Sequence, residues 1–117
     1  MILHICARDE WPSPSEYRPP SLDTEGFVHC SDYGTIHIPA GMFYAGRTDL
    51  QLLVIDPDLL AVPVRWERPD GPADLPWFPH VYGPIAERAV VAVHDFPPGP
   101  DGAFVLPAAL AAAPNNK

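Results

Sequence analysis

Apolar residues occur in short runs separated by proline and glycine, and the pattern within each run predicts the element that it forms. The unbroken aliphatic run over residues 50–55 is typical of a strand buried on both faces. Shorter runs rich in β-branched and aromatic residues predict further strands. The predicted strands cover residues 1–7, 27–30, 50–55, 62–67, 88–96 and 102–106. The chain is therefore predicted to consist mostly of short strands.

Helical signals are fewer and more local. Apolar side chains over residues 35–45 follow a helical spacing that ends at Gly46, and residues 21–26 have the composition of a single helical turn. Residues 77–84 follow no period and predict an irregular segment, while the alanine-rich residues 108–117 predict a frayed tail. One or two short helices among many strands indicate an α+β fold.

Length and composition indicate one domain. The chain has 117 residues, of which 47% are hydrophobic and 19% charged, which excludes a disordered acidic tail and a membrane span. Its 17 prolines are about three times ordinary usage and are mostly scattered, which predicts short elements joined by many loops. We expect a single domain over residues 1–107, followed by the tail at 108–117.

Charge and cysteine content constrain the expected partners and location. Fifteen acidic and seven basic residues give a net charge of −8, which repels nucleic acid and anionic membranes and leaves a small molecule as the expected ligand. The two cysteines, Cys6 and Cys30, form no CxxC pair and suit a reducing compartment. The N-terminus lacks the basic region of a signal peptide, so a cytoplasmic location is expected.

Three of the five histidines lie in surroundings that favour a shared site. His4 interrupts an apolar strand, and His29 and His80 lie beside glycine, proline and aromatic residues. A buried histidine must be hydrogen-bonded, so three of them favour one ligand pocket over three independent packing roles, although packing remains the alternative. His37 and His94 lie on ordinary helix and strand patterns and are predicted to be surface or packing residues.

Strand alternation makes a second candidate group of Arg65 and Glu67. These two side chains share one face of a strand, and Trp66 points to the other face, where it is expected to join the core. The pair could be a surface ion pair, or the arginine could bind an anion and the carboxylate a hydroxyl group.

Other chemistries are not favoured. A nucleophile built from Cys30 and His80 is unfavourable, because Cys30 would face the core if His29 faces a pocket. A metal site of three histidines has no ligand pair at metal-binding spacing, so no metal is expected. The glycine-rich, zinc-protease and serine-hydrolase motifs are absent from the sequence.

Several strings together resemble the small bacterial domain-of-unknown-function family 952 (DUF952). The most distinctive are EGFVHCS at residues 25–31 and FPHVYGP at residues 78–84, and the resemblance extends over residues 1 to about 107. Supporting strings are the strand containing His4, the segment with Trp11, Tyr17, Ser21 and Leu22, FYAG at 43–46 and VRWE at 64–67. The family has no established activity.

This family is similar in fold to ADP-ribosyltransferases, which implies a split, twisted, mostly antiparallel β core with NAD bound between two small sheets. The resemblance implies that His4 contacts the ribose on the nicotinamide side, and that His29 and Ser31 line the nicotinamide pocket. Glu67 and His80 are the candidates for the place of the glutamate found in protein-modifying members. Members that lack this glutamate include RNA 2′-phosphotransferases, but the net charge of −8 opposes an RNA substrate.

The expected function is therefore an NAD- or nucleotide-binding enzyme of the glycosyl-transfer or hydrolysis type, acting on a small molecule. His4, His29, His80 and Glu67 are the candidate catalytic residues. The candidate ligand-binding residues are Ser31 for ribose, Arg65 for diphosphate, and Phe78 and Tyr82 for ring stacking. The alternative is a non-catalytic binding module that kept the cleft and lost the chemistry.

Overall fold

The computed structural model describes residues 1–13 and 15–111. Its strands are β1 (Ile2–Ala7), β2 (Val28–His29), β3 (Leu50–Ile55), β4 (Val64–Glu67), β5 (Phe78–Val81) and β6 (Val90–Asp95). Its α-helices are α1 (Ser21–Thr24), α2 (His37–Phe43) and α3 (Ala108–Ala111), and two 3₁₀ turns cover Pro57–Leu59 and Glu87–Ala89. In these ranges, no helix has the length and apolar character needed to cross a membrane.

The strands form two antiparallel sheets of three strands each. The first sheet has the order β1-β3-β6, and the second has the order β2-β5-β4. All six residues of β3 are buried, as the aliphatic run predicts, because β3 is the central strand of the first sheet and is covered on both faces. The prediction of a single α+β domain with antiparallel sheets and few helices is confirmed.

The first sheet packs against an apolar core on each of its two faces. One core lies between the sheets, where Leu53 and Ile55 of β3 pack with Val28 and Val81 of the second sheet. The other core lies on the far face of the first sheet, where Leu50, Leu52 and Val54 of β3 pack with Ile36 and with Ala40 of α2. Alternation along β3 therefore divides one apolar strand between two cores.

The prediction of an irregular segment at residues 77–84 is wrong, because Phe78–Val81 forms the central strand of the second sheet. All four residues are buried, so the strand has no polar alternation to show in the sequence. Pro79 is tolerated there because β2 ends at His29. The carbonyl of Pro79 still accepts a hydrogen bond from the backbone N–H of Cys30. The missing N–H of Pro79 therefore costs only one hydrogen bond, just beyond the end of β2.

Two further expectations also need correction. Residues 102–106 are not a strand; they are an irregular segment in which Phe104 is buried 5.1 Å from the ring of Phe96. Trp66 is not a core residue; it is 47% exposed on β4, which is an edge strand of the second sheet.

The expected tail at residues 108–117 begins with an ordered helix. Leu110 of α3 is buried in the core on the far face of the first sheet. The remaining part of the expected tail, residues 112–117, lies outside the described residues.

Candidate functional site

A cavity of about 770 Å³ opens between the two sheets and α2, within the range of roughly 300–1,000 Å³ that is usual for small-molecule pockets. Seven of the eight residues predicted for the site line this pocket: His4, His29, Ser31, Glu67, Phe78, His80 and Tyr82. The eighth, Arg65, is not a lining residue, and its guanidinium lies over the Tyr82 ring at 4.9 Å from the centroid. A second, more open groove along β6 contains none of the eight.

Two histidines from neighbouring strands lie side by side in the pocket. His29 of β2 is the register partner of His80 in β5, and their ring centroids are 5.5 Å apart. Phe27 contacts both rings, stacked on His80 at 4.0 Å and edge-on to His29 at 4.8 Å. Antiparallel pairing therefore joins two histidines that are distant in the sequence.

Glu67, at the end of β4, accepts two hydrogen bonds on one carboxylate oxygen. His80 Nδ1 donates at 2.8 Å and the Tyr82 hydroxyl donates at 2.5 Å. Because a carboxylate only accepts, the neutral His80 ring carries its proton on Nδ1 and presents Nε2 as an acceptor. His80 is 5% exposed, but its Nε2 has no partner among the described residues and is not sealed from solvent. A ligand in the pocket can therefore use this nitrogen.

The same contacts set the charge at this end of the pocket. The hydrogen bond from Tyr82, followed by the bond from His80, lowers the pKa of the Glu67 carboxyl group below its usual value. The bond to Glu67 raises the pKa of Tyr82. At neutral pH the pocket therefore presents an ionised carboxylate beside a neutral phenol.

Glu25 forms a second carboxylate–histidine pair. Its Oε2 lies 2.7 Å from Nε2 of His29, four residues along the chain. Gly26, with a φ of +88°, turns the chain between α1 and β2 so that this contact can form. Both side chains are about half exposed, so the pair orients His29 and adds little stability.

His4 differs from the other two histidines because both its ring nitrogens are used inside the protein. Its Nδ1 donates to the carbonyl oxygen of His29 at 2.6 Å, and its Nε2 accepts from the hydroxyl of Tyr17 at 3.0 Å. Burial lowers the pKa of His4 from 6.5 to about 4, so the ring is neutral at physiological pH. It has no free ring nitrogen for the predicted ribose contact. Both ring nitrogens of His4 are therefore engaged within the fold, one of them with the hydroxyl group of Tyr17.

Sequence reasoning missed Tyr17 and Glu25 as pocket residues. Tyr17 reaches the pocket because a single β-bridge to Ile85 fixes the proline-rich loop, and nothing in that loop's composition marks it. Glu25 could have been found, since it lies four residues before His29, a spacing at which a short turn brings two side chains together.

The two cysteines have the environment of core residues. Cys30 is 4% exposed, and burial raises the pKa of its thiol well above the usual range. Burial also raises the pKa of Cys6, to about 11. Cys30 nevertheless lines the pocket together with His29, contrary to the alternation argument, but a thiol of this kind is a poor nucleophile.

Among the described residues, no group of three or more histidine, cysteine, aspartate or glutamate side chains has the arrangement needed to hold a metal ion. The absence of a metal therefore stays a prediction.

Comparison with known proteins gives a family and a fold. Residues 5–93 match the family described as "Protein of unknown function (DUF952)". The crystal structure of protein CC0527 from Caulobacter crescentus is similar, with 24% identity, a TM-score of 0.78, and coverage of 94% of this chain and 97% of that one. The solution NMR structure of CC0527 has 25% identity and a TM-score of 0.71, and covers 87% and 89%. The search of curated proteins found no match.

Proposed function

The chain belongs to the DUF952 family, and from that premise we propose that it is an ADP-ribosyltransferase-like enzyme. The proposed ligand is NAD or a related nucleotide, and the bond cleaved is the one between nicotinamide and ribose. The observation that carries the proposal is Glu67, which accepts hydrogen bonds from His80 and Tyr82 inside a pocket between two small sheets.

The architecture supports an ADP-ribosyltransferase-like fold. Two antiparallel sheets of three strands pack against each other, and the pocket lies where β1 of one meets β2 and β5 of the other. This is the arrangement implied by the resemblance, in which a nucleotide binds between two small sheets. The single bridge between Leu3 and Ser31 connects the sheets beside the pocket.

His80 has the geometry of a general base. Glu67 fixes the ring so that Nε2 can accept the proton of an attacking water or hydroxyl group, and its charge stabilises the imidazolium that forms. The attacking oxygen bonds to the anomeric carbon, and the carbon–nitrogen bond breaks. The electron pair of that bond leaves with the nicotinamide nitrogen, and the proton passes from His80 to solvent.

Other lining groups have roles in binding. Phe78 and Tyr82 supply aromatic surface for ring stacking, and Ser31, which lines the same pocket, is proposed to bind the ribose. Arg65 lies over the Tyr82 ring and does not line the pocket, so Arg68, which does line it, is the guanidinium proposed to meet a phosphate of the ligand.

Release of nicotinamide from NAD, followed by chromatography, tests this proposal. The wild-type protein should release nicotinamide, and Glu67→Gln should slow release at least tenfold, because it removes the charge that orients and stabilises His80. Glu87→Gln is the matched control, since Glu87 lies outside the pocket. Saturable binding without release would instead favour the non-catalytic module. Neither binding nor release with NAD or with any smaller ligand that contains nicotinamide riboside would overturn the proposal.

A further inference from the structure

The charges around the pocket are unequal. Among the described residues, the lining contains four carboxylates and one guanidinium: Glu10, Glu25, Glu67, Asp70 and Arg68. The whole chain also has more acidic than basic residues, with a net charge of −8. A ligand that enters this pocket therefore meets a negative potential from near and distant groups.

The carboxylate of Glu67 still has hydrogen-bonding capacity. Both protein donors use Oε1, so Oε2 has no partner among the described residues. The Glu67 side chain is 36% exposed, so a ligand can reach it. An ionised oxygen of this kind binds hydroxyl hydrogens or a positive charge, and it repels a phosphate.

Part of the pocket lining is apolar and comes from α2. Ile38, Met42 and Phe43 form it, and Met42 and Phe43 are 52% and 72% exposed although both are large and apolar. Phe27 adds an aromatic face beside His80. Aromatic and thioether surfaces such as these bind flat rings, and they bind cationic rings more strongly than neutral ones.

Groups that could bind a diphosphate are few in this pocket. Arg65 is engaged with the Tyr82 ring outside the lining, which leaves Arg68 as the guanidinium among the described lining residues. One exposed arginine can meet a single phosphate, but it does not balance two phosphates against four carboxylates.

We propose that the preferred ligand of this pocket is a cationic aromatic N-riboside without phosphates, of the pyridinium nucleoside type, rather than a dinucleotide. The ribose hydroxyls meet Glu67, the cationic ring lies against the wall formed by α2, and the negative lining attracts the ring's charge. This inference rests on the proposed function, because it names the substrate class of the same site.

The test compares ligands that share one nicotinamide riboside group, by isothermal titration calorimetry at low ionic strength. Nicotinamide riboside carries the positive ring alone, nicotinamide mononucleotide adds one phosphate, and NAD adds a diphosphate and adenosine. The reduced riboside has nearly the same shape without the ring charge. The expected result is that the riboside binds at least tenfold more tightly than NAD and several-fold more tightly than its reduced form. Added salt should reduce the difference in affinity between the riboside and NAD, and also that between the riboside and its reduced form.

Variants separate the charge effect from shape. Asp70→Asn removes one exposed carboxylate of the lining and should weaken riboside binding while strengthening NAD binding, and Glu87→Gln outside the pocket should change neither. If NAD binds as tightly as the riboside or more tightly, the inference is wrong and the proposed function stands. If no member of the series binds, the proposed function is wrong, and the inference falls with it.

Discussion

At the residue scale, the roles of the three pocket histidines follow from which ring nitrogens each has free. His4 has none, because the carbonyl of His29 and the hydroxyl of Tyr17 use both. His80 uses one nitrogen for Glu67 and keeps Nε2 open. His29 also gives one nitrogen to a carboxylate, that of Glu25, but its side chain is about half exposed. Of the three, His80 therefore combines a buried ring, a fixed tautomer and a free acceptor, as a general base requires.

Replacing His80 tests this assignment. His80→Ala should weaken nucleoside binding by about 1–3 kcal/mol, because it leaves Glu67 and the ligand without a hydrogen-bonding partner. His37→Ala is the control, since His37 is exposed on α2 and does not line the pocket. Calorimetric titration of both variants measures the difference, and equal effects would return His80 to a packing role.

Burial of His4 makes stability depend on pH. The folded pKa of about 4 is below the unfolded value of 6.5, so between these values the unfolded chain binds more protons. The free energy of unfolding should therefore fall as the pH falls, by roughly 2 kcal/mol between pH 7 and pH 5. Urea unfolding at several pH values measures this slope.

His4→Gln is the matched variant, because glutamine does not titrate in this range. It should lower stability at pH 7 and flatten the slope between pH 7 and pH 5. The Glu67 carboxyl group, whose folded pKa is lowered from 4.5, contributes only below that range. An unchanged slope in His4→Gln would contradict the assignment to His4.

The candidate residues were predictable from sequence, but their partners were not. A histidine between Leu3 and Ile5 signals a buried polar ring from the sequence alone. Whether that ring serves a ligand or the fold depends on Tyr17, which a distant β-bridge brings into place. Hydrogen bonds between elements far apart in the chain leave no local sequence pattern. The structure was therefore needed to show which histidine is engaged within the fold and which is open to a ligand.

At the scale of elements, the two central strands show what an apolar pattern reveals. The strand β3 was predictable because six aliphatic or amide residues run without interruption, and β5 was not, because it is four residues long and contains Pro79. Both strands are fully buried. A buried strand can thus be identified by its length and composition but not by alternation, and a short one with proline gives too little signal.

The turn after β5 is predicted to tolerate no side chain at Gly83. A Cβ there would lie 2.5 Å from Cγ1 and 2.9 Å from Cβ of Val62, a short branched side chain that cannot move away freely. Gly83→Ala should lower the free energy of unfolding by about 1–3 kcal/mol. Gly41→Ala in α2 meets open space and should raise it by roughly 0.5–1 kcal/mol. Chemical denaturation of the two variants measures these changes. A change of the same sign in both free energies of unfolding would contradict the account.

The helix α3 extends the folded unit past residue 107. Leu110 is 7% exposed in the core on the far face of the first sheet, so Leu110→Ala should lower the unfolding free energy by about 2 kcal/mol. Val105→Ala, at a position 68% exposed, should have little effect. Thermal unfolding of the two variants measures the difference, and equal stabilities would place α3 outside the cooperative unit.

At the scale of the whole molecule, the net charge of the chain and the charged lining of the pocket both disfavour a ligand with several phosphates. A chain of charge −8 is poorly suited to bind phosphate backbones, and its pocket has the same imbalance. The two packed sheets create the pocket at their junction, so the site depends on the complete fold rather than on one motif. Composition alone predicted the sign of the charge, whereas the position of Arg65 outside the pocket depends on how β4 lies beside Tyr82.

The central claim is that a ligand binds where His29 and His80 meet, and the five histidines of the chain can report on it directly. We expect nitrogen-15 NMR of the ring nitrogens to show a proton on Nδ1 of His80, the nitrogen that donates to Glu67. Titration with nicotinamide riboside should then shift the ring signals of His80 and His29 and leave those of His37 and His94 unchanged. Ring signals that stay constant at His80, or that shift equally at all five histidines, would contradict the claim.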